Sequence, residues 1–178
     1  MFRNLQAAGR ILLKDFLKLD KIGLQGKRNQ QKGRTCTRTE EMKNCSYCSE
    51  GELLNAFGIK IGELPMSKVI LFREQSHRGR VIVACKKHVD DITGLTREER
   101  VQFMEDVNHT AEVLHELFHP DKINFGAYGD TMHHLHFHLV PKYRDGFEWG
   151  GVFAMNPGRE TLTPEQYEEL IALIRSRL

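Results

Sequence analysis

An α+β fold, built on an antiparallel sheet of about five strands with one long central helix and a C-terminal helix, is predicted by three features of the chain. Short β-branched or alternating runs come in adjacent pairs, 68–72 with 80–85 and 122–129 with 133–141. One long stretch with apolar residues at helical spacing, 96–118, lies between the two pairs, and a second follows the last pair. Strands adjacent in sequence and joined by short polar turns pair antiparallel, because a parallel partner needs a long crossover.

The chain has 178 residues and a formal charge of +2, but the charge is unevenly spread. Residues 1–41 carry 10 Lys/Arg against 4 Asp/Glu, and residues 42–178 carry 16 against 20. The first segment spaces Phe2, Leu5, Ile11, Leu12, Phe16 and Leu19 roughly as a basic amphipathic helix would. It reads as a weakly ordered extension, a targeting peptide or a membrane-surface helix. Residues 23–41 are polar and too poor in apolar side chains to offset their ordering entropy, which marks a linker. Residues 1–41 are therefore a basic N-terminal extension and linker, and 42–178 the functional domain. A mildly acidic domain argues against general nucleic-acid binding. No run reaches the roughly 18 apolar residues of a membrane span. Four cysteines at 36, 45, 48 and 85 are too few and uneven for a disulfide scaffold, so a cytoplasmic location is expected.

Within the domain, 68–72 (KVILF) and 80–85 (RVIVAC) flank the polar EQSHRG, a hairpin signal. Thr96 and Glu99 form a capping box ahead of Val101, Met104, Val107, Ala111, Leu114 and Phe118, and Pro120 closes this helix. The runs 122–129 and 133–141 are separated by the turn-prone Asp130 and followed by a loop with Gly146, Gly150 and Gly151. The last helix has Thr163 as its cap, Pro164 in the favoured first position, and Tyr167, Leu170, Ile171 and Ile174 as its stripe.

All nine histidines follow residue 76, and five lie between 119 and 138. In HLHFHLVP the strand period of two puts His134, His136 and His138 on one face and Leu135, Phe137 and Leu139 on the other. Packing explains the apolar face only. Alternating imidazoles can converge on one metal, or surround a phosphate that one attacks and others hold. By the same alternation His133 points away from the triad, and His109, His115 and His119 belong to a helix surface.

The motif His-x-His-x-His followed by apolar residues resembles the signature of the histidine triad (HIT) superfamily of nucleotide hydrolases and transferases. The likeness extends upstream, where Gly129-Asp130-Thr131 looks like that family's phosphate loop and Asn124 stands about ten residues before the triad. The resemblance implies a HIT-like catalytic domain over 42–178, in which His136 attacks the α-phosphorus of a nucleotide to form a nucleotidyl-histidine. His138 then contacts the phosphate or leaving-group oxygen, while Asn124, Gly129 and Thr131 supply neutral donors. Substrates of this class are dinucleoside polyphosphates, nucleoside phosphoramidates and nucleotide sugars, with hydrolysis expected ahead of nucleotidyl transfer. A nucleotide-binding regulator with little turnover, and an enzyme whose triad ligates a catalytic metal, are the alternatives. The resemblance also implies a homodimer formed through the long helix and an edge strand.

Cys45-Ser46-Tyr47-Cys48 read alone suits zinc, redox chemistry or chance, and no second close pair follows. Zinc-containing members of the superfamily add a histidine after the second strand and the first histidine of the triad. By that resemblance the ligands are Cys45, Cys48, His88 and His134, a closed set for a structural zinc. The chain departs from the family where Gly79-Arg80 replaces Gly-His, where Cys85 replaces a strand-ending proline, and in REQSH, where Glu74 is the nearest substitute for a ribose-binding aspartate. Asp130 replaces the family's glutamine beside the phosphate, where a carboxylate is unfavourable unless it points away or pairs with a base such as Arg80.

Overall fold

The computed structural model describes residues 42–178. The expected extension and linker, 1–41, lie outside the described residues. Two short helical turns, α1 (Ser46–Ser49) and α2 (Gly51–Asn55), lead into β1 (Gly58–Glu63), β2 (Ser67–Phe72) and β3 (Val81–Cys85). A 3-10 turn (Ile92–Gly94) precedes α3 (Arg97–Phe118), and β4 (Lys122–Gly126), β5 (His136–Lys142) and α4 (Pro164–Arg175) complete the chain. The five strands form one antiparallel sheet in the order β1-β2-β3-β5-β4. The predicted fold class is the observed one.

Local chemistry accounts for most boundaries. Thr96 and Glu99 make the expected reciprocal cap on α3, and Thr163 makes a second such box with Gln166 on α4. The long helix ends one residue before Pro120's reach, at His119, which takes the left-handed conformation with φ 46°. The run 122–129 is extended only as far as Gly126, and 133–141 only from His136. The chain before His136 leaves the ladder because Leu135 N–H donates to the Val89 carbonyl and His134 N–H to that of Met132. β1 was not anticipated among the paired runs: its apolar positions, Ile59 and Ile61, are only two and sit between Gly58 and Gly62.

The period of two splits the sheet into two unlike faces. On one, Val69, Leu71, Val81, Val83 and Leu139 pack against Phe103, Val107 and Leu114 of α3 and Leu170 and Ile174 of α4. On the other, Ile70, Phe72, Ile82 and Ala84 meet Cys45, Tyr47 and Leu54 from the α1–α2 segment. Asp106 of α3, buried, accepts from Met66 N and Ser67 Oγ, both at 2.8 Å, and so ties the helix to the β1–β2 turn. Among the described residues no helix is long and apolar enough to cross a membrane.

Candidate active site and metal cluster

The centre of the site is β5, held between β3 and β4. His136 pairs with Ala84 and His138 with Ile82 on one side, and His138 pairs with Gly126 on the other. All three triad histidines are buried, between 1% and 5% exposed. Each ring has one nitrogen whose partner decides where the proton sits, and the three answers differ.

His134 Nε2 lies 2.7 Å from the Cys85 carbonyl oxygen, which only accepts, so Nε2 carries the proton and Nδ1 a free lone pair. His136 is the reverse: Nδ1 lies 2.6 Å from the His134 carbonyl oxygen, so Nδ1 donates and Nε2 keeps the lone pair. For His138 the partner of Nδ1 is the Arg80 guanidinium, Nη2 at 3.3 Å. Arginine only donates, so Nδ1 accepts and the proton is on Nε2. Burial holds all three rings in the neutral form, lowering His136 and pushing His134 down to about 4. For His138 burial and then the Arg80 charge push it down to about 3.

The Nδ1 lone pair of His134 faces the second cluster. It lies 3.3 Å from Cys45 Sγ, 3.5 Å from Cys48 Sγ and 3.2 Å from His88 Nδ1, and His88 Nδ1 is 3.3 Å from Cys48 Sγ. These four donor atoms all lie within 4.8 Å of one another. A tetrahedron with metal–sulfur bonds of about 2.3 Å and metal–nitrogen bonds of about 2.0–2.1 Å has edges of roughly 3.3–3.8 Å, so the set fits around one ion. Burial and the neighbouring Cys45 push the Cys48 thiol up to about 12, so thiolate formation there calls for a cation. The four residues that the family resemblance names are thus brought together from α1, the segment after β3 and the approach to β5. Cys85 packs in the helix-side core while its carbonyl sets the His134 tautomer.

A cavity of about 410 Å³ opens on the triad face, within the range of small-molecule pockets. His136 and His138 line it together with Gly129 and Thr131 of the expected phosphate loop. Its remaining wall is mostly aromatic and apolar, formed by Tyr47, Phe57, Phe72, Tyr128, Met132 and Met155. Gly126 makes room for it: a Cβ there would stand 2.6 Å from Tyr128 and 2.8 Å from Phe153.

The other residues named from the sequence stand at different places relative to this cavity. Asn124 pairs with Val140, on the triad face two register pairs beyond Gly126 and His138, and it is not among the residues lining the cavity. Glu74 bridges to Thr161 and its carboxylate accepts from Ser76, so it stands outside the cavity as well. Asp130 lines the cavity but is exposed, and Arg80 does not pair with it: Arg80 is fully buried between the Phe72 and Phe153 rings. Glu148, in the loop after β5, is bound to the buried His77 at 3.0 Å. The aromatic wall and the Arg80 contact were not legible in advance. They join residues from α1, β2, β5 and the loops between elements, and follow no local period.

Residues 58–145 match the HIT domain family. Over 149 residues the chain is 24% identical to the protein hit of Bacillus subtilis strain 168, covering 76% of this chain and 95% of that protein. It is 29% identical over 97 residues to a bis(5′-adenosyl)-triphosphatase of Dictyostelium discoideum, covering 52% of this chain and 64% of that one. In fold it resembles a zinc-bound histidine triad family protein from Mycobacterium smegmatis, with a TM-score of 0.54, 23% identity, and 76% and 94% of the two chains covered. The family match over residues 58–145, with the histidine row on a strand inside the sheet, identifies that stretch of the chain as a domain of the histidine triad (HIT) family.

Proposed function

We propose that the protein hydrolyses nucleoside 5′-phosphate derivatives through a nucleotidyl-histidine intermediate. The observation that carries this reading is the opposite tautomers of His136 and His138 at one cavity: a bare Nε2 on the first and an Nε2–H on the second. A neutral imidazole with an exposed lone pair is a competent nucleophile at neutral pH without further activation. His136 Nε2 attacks the α-phosphorus, its Nδ1–H staying on the His134 carbonyl, and the bond to the leaving group breaks. His138 Nε2–H, the Gly129 backbone and the Thr131 hydroxyl hold phosphoryl oxygens as neutral donors. Water then cleaves the phosphorus–nitrogen bond and frees the nucleotide. The aromatic wall of Tyr47, Phe57, Phe72 and Tyr128 suits a flat base. The activity named for the Dictyostelium relative supports the substrate class.

The four-atom cluster is read as a structural zinc site of Cys45, Cys48, His88 and His134. Four protein ligands leave no open position, so the ion's contribution is to cross-link the α1 segment to the sheet. The ligand set needs reduced thiols, which fits a cytoplasmic location. Exposed Val101 and Met104 on α3 and Phe125 on the edge strand β4 offer apolar surface to a second copy, in keeping with a homodimer.

Incubation with a dinucleoside polyphosphate, a nucleoside phosphoramidate and a nucleotide sugar, followed by mass spectrometry of the intact protein, tests the proposal. The wild type is expected to release nucleoside monophosphate and to show a transient adduct of that mass. His136→Ala is expected to lose both, with turnover falling by about three orders of magnitude or more. Binding without turnover of any of the three would establish a regulator instead.

A further inference from the structure

Arg80 is buried without a salt bridge, with the Glu74 and Glu148 carboxylates acting on its charge only from a distance. It is fully buried, lies flat over Phe72 at 4.0 Å and near Phe153 at 5.1 Å, and among the described residues it makes no ion pair. Its Nη1 donates to the Met155 carbonyl at 2.8 Å, its Nη2 meets Met155 Sδ at 3.1 Å and His138 Nδ1 at 3.3 Å, and its Nε is buried without a hydrogen bond. Burying a guanidinium in an aromatic slot is costly, even with cation–π attraction in return. Arg80 does not line the cavity, so it acts on substrate only through His138.

The geometry points to Arg80 as the positioning residue that confines the His138 proton to Nε2 and thereby selects leaving groups that depart as anions. The inference rests on the catalytic reading above and narrows its substrate class. With Nδ1 filled by a donor, His138 has one proton, on Nε2, and no second. It can hold a leaving-group oxygen by a hydrogen bond, but giving that proton away would leave an imidazolate. The burial and positive charge that keep the ring from becoming imidazolium act in the same sense. When His136 forms its bond to phosphorus, the electron pair of the breaking bond therefore leaves with the departing group. A nucleoside diphosphate or other phosphate oxygen accepts that pair as a stable anion. An amine needs a proton that His138 does not supply. Phosphoanhydrides, such as dinucleoside polyphosphates, are the substrates this arrangement favours over phosphoramidates.

Nitrogen-15 NMR of the histidine side chains in the metal-loaded, ligand-free protein reads the tautomer directly, with His138→Asn to assign the signals. His138 is expected as the Nε2–H form in the wild type and in Arg80→Lys, which keeps a charged donor in the slot. Arg80→Met is expected to show the Nδ1–H form as well. Its ratio of diadenosine polyphosphate to adenosine phosphoramidate turnover should fall at least tenfold, while the nucleotidyl adduct on His136 persists. A wild-type His138 protonated on Nδ1 would overturn the inference without any variant, as would an unchanged turnover ratio in a folded Arg80→Met. Failure of the catalytic reading is distinguishable, because it removes the adduct and leaves the NMR assignment of the proton standing.

Discussion

Serine in place of Cys48 removes one donor atom from the metal cluster and little else, since the side chain is only half-buried and the change is nearly isosteric. Its effect on stability follows from what the ion connects. Cys48 and His134 are 86 residues apart, and a shared ion ties them together in the folded domain. The unfolded chain does not hold the four donors together, so the ion stabilises the folded state by its binding free energy, about 4 kcal/mol when the free ion stands near a thousand times Kd. For a domain of this size each kcal/mol moves the midpoint by roughly 3–5 °C, so Cys48→Ser is expected to melt about 12–20 °C below the wild type. The assay is calorimetric or fluorescence-detected unfolding beside elemental analysis of the same samples. Chelation should bring the wild type down to the variant and leave the variant where it is. A shift under about 5 °C, or a chelator that lowers both proteins equally, would refute the cross-linking argument.

Two further outcomes test the electrostatics and the core. In the unfolded chain His138 takes up a proton near pH 6.5, whereas burial and the Arg80 charge push it down to about 3 in the folded protein. Stability is therefore fully present above about pH 6.5 and falls on acidification below it, by about 1.4 kcal/mol per pH unit for this histidine. Urea titrations of His138→Asn between about pH 6 and pH 4 should show a slope smaller by one proton; equal slopes would mean that His138 titrates normally. Leu139, fully buried on the helix-side face, should lose about 2–5 kcal/mol when cut back to alanine, measured by chemical denaturation. A loss below about 1 kcal/mol would show that this face is not the core.

The legible features were those written in local periods. Alternation sorted His136 and His138 from Leu135 and Leu139, and the Thr96–Glu99 pair marked the start of α3, because in each case the interacting residues are a few positions apart. The metal quartet was legible only through family resemblance, since Cys45 and His134 are 89 residues apart and nothing in their spacing joins them. β1 escaped because two isoleucines among glycines carry too little signal. The composition of the approach to β5 continues the alternation and so predicts strand, yet the backbone there turns to Val89 and Met132 instead of the sheet.

By itself the sequence determined that three imidazoles share one side of a strand and that the domain is a sheet covered by capped helices. Only the tertiary structure decided what each imidazole can do. A ring's tautomer depends on what meets its nitrogens. For His136 that partner is two residues away, but for His134 it is the Cys85 carbonyl, 49 residues away, and for His138 it is Arg80, at a distance of 58. Chemically identical side chains are left with different nitrogens free, Nδ1 on His134 and Nε2 on His136, with Nδ1 of His138 taken up by a donor, because the fold places an acceptor, an acceptor and a cation against different nitrogens.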